Sequence, residues 1–335
     1  MRYTVIGGGV GCARFVSGLR EHVRREEPDA RIDVVVNTAD DWWVSGLRIA
    51  PDHDSLLYAL AGVNDRERGW GRSGESERVS AELAEWGVAP GWFTLGDLDL
   101  GTHIARTAWL RAGATVSDVY ARLGARWHLG VTLHPATDDE IDTHVIVDDG
   151  RRMHFQEWWV RHRAALPARA FEQEGIDLAR PSAGALEAVA RADVVLVAPS
   201  NPVVSVGPVL AVPGMREAVA ASPAPVVGVS GVIGGAVVRG MADACLAAIG
   251  VETDAAAVAQ HYGARASGGL LDAWMVGLED AASVARVEAL GIATAAVPLW
   301  LRDADSSARV ARDALALARR ARSAGSAGDP DARRV

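Results

Sequence analysis

The chain contains no lysine: all 34 residues counted as Lys or Arg are arginine. This absence excludes a Schiff-base lysine, the lysine that attaches pyridoxal phosphate, and the GK[ST] loop of P-loop proteins. Any bound phosphate must therefore be held by arginine, backbone N–H groups, hydroxyls or a metal ion. Lysine-free usage can also reflect genome composition, so it constrains mechanism without identifying a function.

Cysteine is nearly absent, and no long apolar run occurs. The two cysteines, Cys12 and Cys245, are far apart and have no metal-ligand spacing, which argues against a disulfide framework. No apolar run reaches the roughly 20 residues of a membrane-spanning helix. A formal net charge of −9 argues against nonspecific nucleic-acid binding. We therefore expect a soluble cytoplasmic protein with no nucleic-acid or membrane partner.

What is present is an alternation of short β-branched runs with longer helical patterns. It predicts an α/β fold, specifically a doubly wound, mainly parallel, Rossmann-like sheet with a small inserted α+β subdomain. The predicted strands are Tyr3–Ile6, Ile32–Asn37, Asp193–Ala198, Pro225–Val229, Leu270–Val276 and Ile292–Val297. The predicted helices are Arg14–Arg25, Ser182–Arg191, Gly214–Ala221, Arg239–Ile249 and Asp303–Arg322.

The domain organisation follows from one change of pattern. Thr143–Val147 and Arg152–Phe155, joined by an Asp-Gly turn, predict an antiparallel hairpin. We therefore predict a nucleotide- and ligand-binding core made of residues 1–130 and 180–322, with residues 131–179 as a small insertion or lid. The Ala-, Gly-, Ser- and Arg-rich residues 323–335 are predicted to be a flexible tail.

The first motif is the glycine-rich turn Gly7-Gly8-Gly9-Val10-Gly11, between a predicted strand and a predicted helix. Glycine lets the backbone approach a phosphate, and a helix N-terminus offers free N–H groups. A tight strand-to-helix turn without a ligand is the structural alternative. The second strand ends at Asn37, where NAD enzymes normally carry the acidic residue that binds ribose. We therefore favour a nucleotide or diphosphate ligand over NAD.

Acidic residues cluster directly after the second strand. Asp40 and Asp41 are followed by Asp52 and Asp54. Carboxylates gathered beside a phosphate site repel one another unless a hard cation neutralises them, and Mg²⁺ prefers such oxygen ligands. Some of these acids could instead cap the next helix, so we expect at least two ligands and at least one cap. Trp43, in an adjacent tryptophan pair placed in a loop, is a candidate for stacking on an aromatic ligand.

Two further segments carry polar side chains. A helical pattern over Gly96–Arg106 places Asp99, His103 and Arg106 on one side. A histidine flanked by an acid and an arginine can act as a general base, although such groups are more often ordinary surface groups. Pro199-Ser200-Asn201-Pro202 ends the strongest central strand. This predicts a rigid loop at the ligand-binding edge of the sheet, with a plain structural turn as the alternative.

Taken together and in this order, the motifs closely resemble the 2-phospho-L-lactate transferase (CofD-type) family of deazaflavin coenzyme F-420 biosynthesis, and most of all its actinobacterial phosphoenolpyruvate transferase branch. The matching segments are Gly8–Phe15, Asn37–Asp41, Pro51–Asp54, Gly96–Arg106, Leu133–Asp139, His154–Arg161 and Pro199–Pro202. The resemblance covers nearly the whole chain.

The resemblance implies a reaction and a set of roles. An enolpyruvyl-phosphate or 2-phospho-L-lactate group would pass from a guanosine diphosphate-linked donor to the 5′-hydroxyl of the deazaflavin Fo, releasing GMP, with Mg²⁺ as cofactor. The implied residues are Gly8, Gly9, Gly11, Ser200 and Asn201 for the nucleotide; Asp40, Asp41, Asp52 and Asp54 for the metal; Asp54, Asp97, His103 and Arg106 for catalysis; and Trp43, Asp54, Asp97, Asp99 and Trp158 for Fo.

The resemblance also implies a homodimer. A second function remains open, since a related group of nucleotide-sugar-binding regulatory proteins shares the glycine-rich turn and the Ala-Asp-Asp segment. In this chain Trp42-Trp43-Val44-Ser45 follows that segment, where the regulators have glycines and serines. The regulatory alternative also gives no reason for the Asp97–Arg106 pattern.

Overall fold

A seven-stranded, wholly parallel sheet forms the centre of the computed structural model, which describes residues 1–327. Its strands run in the order β14-β13-β10-β9-β1-β2-β5, and every pair is parallel. Their bounds are β1 Arg2–Gly7, β2 Arg31–Val36, β5 Thr132–Pro135, β9 Val194–Val197, β10 Val226–Val229, β13 Ala273–Gly277 and β14 Ala293–Val297. The α/β fold is therefore confirmed.

The strand order reverses between β1 and β9. From β1 the chain builds outward through β2 and β5, whereas β9 starts the other half of the sheet. In parallel α/β sheets the crevice beyond the carboxyl ends of the strands at such a reversal is where ligands bind. The glycine-rich turn follows β1 and the Pro199–Pro202 loop follows β9, so both predicted loops border this crevice.

Helices cover both faces of the sheet. They are α1 Gly9–Glu26, α2 Pro51–Ala61, α3 Arg78–Glu85, α4 Asp97–Arg111, α5 Val116–Gly124, α6 Ala183–Ala190, α7 Gly207–Ala211, α8 Met215–Ala221, α9 Ala242–Ala248, α10 Ala255–Tyr262, α11 Val284–Glu288 and α12 Ala304–Ala327. Short π-helices span Glu157–Arg161 and Pro202–Val206, and short 3₁₀-helices span Ile176–Leu178, Arg265–Ser267 and Leu278–Ser283.

Successive side chains of each strand point to opposite faces of the sheet, so the sheet has one hydrophobic core on each face. In β1, Val5 packs with α1, α2 and α12 on one face, whereas Ile6 packs with α6, α8 and α10 on the other. Because both faces of the central strands are buried, their sequences are apolar at almost every position. Helices α1 and α12 approach closely, because a Cβ on Gly18 would lie 2.3 Å from the backbone carbon of Ser307.

A separate antiparallel sheet lies outside the parallel one. It consists of β6 Asp142–Val147, β7 Arg152–His154 and β8 Ala168–Glu174, in the order β7-β6-β8. The predicted hairpin is thus present, and β8 adds a strand that the sequence pattern did not predict. Residues 132–135, which we placed in the insertion, instead form β5 and pair with β2. The separate sheet therefore begins only after this edge strand.

Two small hairpins complete the structure. They are β3 Trp42–Val44 with β4 Leu47–Ile49, and β11 Val232–Ile233 with β12 Ala236–Val237. The tryptophan pair, expected in a loop, therefore belongs to a strand. Helix α12 continues to Ala327, so the predicted flexible tail begins too early, and the rest of it lies outside the described residues.

No single helix within residues 1–327 is long and apolar enough to cross a membrane. Only the pair Pro202–Ala211 and Met215–Ala221 meets that criterion, jointly and by length and composition alone, across an 86° bend.

Candidate active site

One cavity of about 290 Å³ lies at the carboxyl edge of the parallel sheet. Its walls come from the glycine-rich turn after β1, the Pro199–Pro202 loop after β9, Ser230–Gly231 after β10 and Leu299–Arg302 after β14. Side chains from several strand ends therefore converge on the crevice where the strand order reverses. Such a convergent cavity is the expected place for a ligand in this fold class.

The glycines of the turn are required by close contacts. Gly8, Gly9 and Gly11 all line the cavity, and Gly9 has a φ of +69°, which favours glycine. A Cβ on Gly8 would lie 1.9 Å from Oδ2 of Asp52, and one on Gly11 would lie 2.2 Å from the carbonyl oxygen of Pro199. Contacts with Asp52 of α2 and with the Pro199 carbonyl therefore require glycine at positions 8 and 11, whatever ligand binds there.

Ser200 and Asn201 line the cavity and also hold its loops together. Ser200 Oγ accepts from the Gly8 N–H at 3.3 Å and donates to the Gly8 carbonyl at 2.9 Å, which joins the loops after β1 and β9. Asn201 Oδ1 accepts from the N–H groups of Val203 and Val204, at the start of the π-helix. Both side chains thus have structural partners in addition to the predicted nucleotide role.

Asp40 and Asp52 are the two members of the four-acid cluster that line the cavity. Both are buried, with 2% and 6% of their surface exposed. Asn37 donates from Nδ2 to Oδ2 of Asp52 at 2.9 Å. Oδ1 of Asp40 has no hydrogen-bond partner among the described residues. This pair therefore presents buried carboxylate oxygens to the cavity.

The electrostatics of this pair favour a bound cation. Burial raises the pKa of Asp52 to about 6, against the hydrogen bond from Asn37. Burial, and then the charge of Asp52, raises the pKa of Asp40 well above its ordinary value. The nearby basic side chains of His53, His103 and Arg106 contact Asp54 and not this pair. A divalent cation would supply the positive charge that both carboxylates lack.

Asp54 has a different environment. It lies outside the cavity lining, and its Oδ1 accepts from the guanidinium of Arg106 in a very short contact. His53 Nδ1 lies 3.1 Å from the same oxygen, and His103 Nδ1 lies 3.6 Å from Oδ2. Burial would raise the pKa of Asp54, but Arg106 and the two histidines outweigh it and hold that pKa below its ordinary value. Asp54 is therefore a charged member of a buried ion pair.

The predicted face of α4 does come together. His103 Nε2 lies 3.2 Å from Asp99 Oδ1, which also accepts from the Tyr58 hydroxyl at 2.6 Å. Arg106 Nη1 lies 2.8 Å from His103 Nδ1. Asp97 does not join them: its carboxylate accepts from the N–H and hydroxyl of Ser76 at the surface. None of these four side chains of α4 lines the cavity.

A second set of possible metal ligands lies within this network. Asp54, Asp99 and His103 are buried, and each offers one ligand atom within 4.8 Å of the others. However, Arg106 already provides a cation to Asp54, and Tyr58 donates to Asp99. Arg106 therefore neutralises Asp54, although Asp54 Oδ2 has no hydrogen-bond partner among the described residues. Asp40 and Asp52 differ in that they line the cavity and form no ion pair with a described residue.

None of the four clustered aspartates caps helix α2, although we expected at least one to do so. Helix α2 begins at Pro51 with Ala50 at the N-cap, and Asp52 and Asp54 lie in its first turn. Proline suits this first helical position because its missing N–H group would have no helical partner.

Asp41 is buried outside the cavity, and burial raises its pKa to about 8 although Arg48 and Arg106 oppose this.

The tryptophans are arranged differently from the prediction. Trp158 has 0% of its surface exposed and donates from Nε1 to the Leu166 carbonyl, so it has no surface open to Fo. Its neighbour Trp159 lines the cavity and is 39% exposed. Trp43 lies outside the cavity lining, donates to Glu140 at 2.7 Å and has Arg48 above its ring. Of the two adjacent rings, only Trp159 is placed where a molecule in the cavity could contact it.

Sequence reasoning missed several cavity residues. They are Phe155, Ser230, Arg239, Trp300 and Arg302, together with apolar side chains such as Val232 and Leu299. Ser230 follows β10 and the Trp300 segment follows β14. Their position after parallel strands was the available signal, because the carboxyl ends of all these strands share one edge.

The chain matches the family model described as 2-phospho-L-lactate transferase CofD over residues 3–296. It belongs to the CofD family. Among its relatives, a protein from Streptomyces coelicolor named phosphoenolpyruvate transferase is 51% identical over 327 residues, covering 97% of this chain and 100% of the relative. One of the same name from Streptomyces avermitilis is 54% identical over 325 residues, covering 96% and 99%.

Two further comparisons concern the family and the fold respectively. A phosphoenolpyruvate transferase from Mycobacterium avium is 46% identical over 338 residues, covering 95% of this chain and 99% of the relative. A crystal structure of a UPF0052 family protein from Bacillus halodurans is similar in fold, with a TM-score of 0.62 at 20% identity, covering 94% and 98% of the two chains. The CofD-family member described here is thus a transferase of the phosphoenolpyruvate/2-phospho-L-lactate transferase family.

Proposed function

We propose that this transferase moves an enolpyruvyl-phosphate group, or a 2-phospho-L-lactate group, from a guanosine diphosphate-linked donor to the 5′-hydroxyl of Fo, in coenzyme F-420 biosynthesis. The observation that carries the proposal is the cavity at the strand-order reversal, which combines a glycine-rich turn with Asp40 and Asp52. Whole-length identity of about half to phosphoenolpyruvate transferases favours this enzyme over the nucleotide-sugar-binding regulator.

Asp40 and Asp52 are the residues that would hold Mg²⁺. Their buried carboxylates, their raised pKa values and the unpartnered oxygen of Asp40 fit a hard cation with oxygen ligands. When bound, Mg²⁺ would neutralise charge on the diphosphate and on the departing GMP. The amide of Asn37 would orient Asp52 through its hydrogen bond to Oδ2.

In the proposed reaction, the acceptor's 5′-oxygen forms a bond to the phosphorus that carries the enolpyruvyl group. The bond from that phosphorus to the bridging oxygen of GMP breaks, GMP keeps the electron pair, and the hydroxyl proton is released. Such transfers depend mainly on positioning and charge neutralisation. The backbone of the glycine-rich turn, at the N-terminus of α1, would hold the diphosphate.

The cavity also has a surface for a flat aromatic acceptor. Trp159 comes from the segment beside the antiparallel sheet, where the buried Phe155 ring lies 5.7 Å from it, and Trp300 comes from the segment after β14. Rings of this kind bind planar aromatic groups by stacking and apolar burial. We therefore assign the proposed Fo contact to Trp159 in place of Trp158.

The test mixes the full-length protein with Fo, Mg²⁺ and each guanosine-linked donor, and measures GMP release and product mass. Asp52→Asn should lower Mg²⁺-dependent turnover by roughly a hundredfold or more, because one ligand charge is lost. Asp149→Asn, in the exposed β6–β7 turn, is the matched control and should keep full turnover. Absence of product with both donors would refute the proposal.

Two properties that accompany this proposal stay predictions, namely the homodimer and the cytoplasmic location. Light scattering on the purified full-length chain would test the first, and a monomer at micromolar concentration would contradict it.

A further inference from the structure

Within residues 1–327, three arginines at the cavity form no salt bridge. Arg14 on α1, Arg239 after β12 and Arg302 after β14 all line the cavity. Within residues 1–327, Arg14 donates only to the Leu301 carbonyl, at a long 3.4 Å, and Arg302 lies 5.5 Å from the ring of Trp300. Arg302 also lies in the field of the Glu279 carboxylate without forming a salt bridge to it, so the N–H donors of all three guanidinium groups remain available to a ligand.

The three arginines also belong together in space. They line a second cavity of about 520 Å³ as well as the first, so they stand at the boundary between the two. Burial lowers the pKa of Arg14, and the nearby charge of Arg239 lowers it further. Positive charges gathered in this way favour binding of an anion between them.

The segments that carry Arg239 and Arg302 are anchored by one short helix, Leu278–Ser283, whereas Arg14 is held on α1. Asp280 accepts from the Gly234 N–H at 2.8 Å, which fixes the β11–β12 hairpin that leads to Arg239. Glu279 accepts from Trp300 Nε1 at 2.7 Å, close to Arg302. The arginines are thus presented from segments with defined positions, as a binding site needs.

We propose that Arg14, Arg239 and Arg302 bind the carboxylate of the transferred enolpyruvyl or lactyl group, an inference that rests on the proposed function. The donor carries two separate anionic groups, its diphosphate and this carboxylate. The turn and the Asp40–Asp52 pair suit the diphosphate with its cation, which leaves the three arginines at the cavity boundary for the carboxylate. A planar guanidinium binds a carboxylate with two parallel hydrogen bonds.

The test measures equilibrium binding to the full-length protein with Mg²⁺ present, using free phosphoenolpyruvate, ethyl phosphate and GDP. Ethyl phosphate has the phosphate but not the carboxylate. Wild-type protein should prefer phosphoenolpyruvate to ethyl phosphate, and Arg239→Gln and Arg302→Gln should each weaken phosphoenolpyruvate binding by roughly tenfold. Ethyl phosphate and GDP should change less than about twofold. Arg239→Lys should recover part of the preference because it keeps the charge.

Arg216→Gln is the matched control, since Arg216 is exposed on α8 and lines neither cavity. Equal losses for phosphoenolpyruvate and GDP would assign the arginines to phosphate and overturn the carboxylate site. No wild-type preference for phosphoenolpyruvate would overturn it as well. The binding measurement does not require transfer to Fo. If the preference depends on the arginines but no product forms, the proposed reaction fails and the anion site stands; if product forms without that dependence, only the site fails.

Discussion

Two acidic residues separated by one position, Asp52 and Asp54, have opposite electrostatic environments. Asp52 faces the cavity, meets the amide of Asn37 and has a raised pKa. Asp54 faces the interior, meets Arg106 and has a lowered pKa. Both are 6% exposed, so burial does not separate them. The difference lies in the partner: Asp54 is neutralised by Arg106, whereas Asp52 has no cationic side chain beside it among the described residues. A buried carboxylate can bind a metal cation only where no arginine or histidine already neutralises it.

The largest effect that tests this comparison comes from Arg106. Arg106→Met should lower the free energy of unfolding by about 3–5 kcal/mol, because Asp54 would remain as a buried charge without its partner. Urea unfolding followed by far-UV circular dichroism measures this. Arg111→Met, on the exposed end of the same helix, is the control and should cost under about 1 kcal/mol. Equal losses in both variants would contradict the assignment.

The next effect tests the rest of the network. Tyr58→Phe removes the hydrogen bond to Asp99 and should cost about 1–3 kcal/mol, because Asp99 would lose a donor in the interior. Tyr120→Phe is a closely matched control, since the buried Tyr120 hydroxyl has no hydrogen-bond partner among the described residues. That variant should be neutral or slightly stabilising. A larger loss for Tyr120→Phe in the same urea experiment would refute this account.

A third test asks whether burial without a counter-charge is enough to shift a titratable group. His154 stacks on Trp42, and burial, followed by the charges of His144 and Arg48, lowers its pKa from 6.5 to about 3. The folded state therefore favours the neutral ring, whose contribution is fully present above pH 6.5 and is lost as the pH falls toward 3. Stability should drop by up to about 1 kcal/mol per pH unit in that window.

The measurement compares urea unfolding at pH 7.5 and pH 5.5. His154→Gln should reduce the loss between the two pH values, whereas His128→Gln, at an exposed position, should leave it unchanged. An unchanged pH dependence in His154→Gln would show that another group causes the loss.

The smallest stability effect concerns Asp52 itself. In EDTA, Asp52→Asn should change the unfolding free energy by less than about 1 kcal/mol, or stabilise the fold, because it removes a repelled carboxylate. Added Mg²⁺ should raise the melting temperature of wild-type protein and not that of the variant. A melting temperature of the variant that still rises with Mg²⁺ would remove Asp52 from the metal site.

Much of the site follows from local rules that act along the sequence. Glycines after the first strand, acids after the second and the Pro199–Pro202 loop after a central strand all lie at one sheet edge, because parallel strands end on the same side. Helical spacing correctly brought His103 toward Asp99 and Arg106. These statements needed only the strand and helix assignments.

Other features depended on contacts between distant segments. The partner of Arg106 is Asp54 of another helix, so the residue spacing within α4 could not predict this ion pair. The strand β5 was missed because its pairing with β2 joins residues nearly a hundred positions apart. Trp158 and Trp159 have the same chemistry, and only the packing around the π-helix decides which ring is buried.

The sequence by itself determined the parallel α/β fold and the edge of the sheet at which the ligand cavity forms. It also excluded any catalytic mechanism that requires a lysine of this chain. Apolar periodicity and turn residues are local properties, so they can be assigned without coordinates. The tertiary structure decided which acids face the cavity, which face Arg106, and which arginines remain unpaired at its boundary. These features depend on contacts between side chains that are distant in sequence. In the low-dielectric interior, the distance between two charges and their burial determine the strength of the interaction and the pKa of each group.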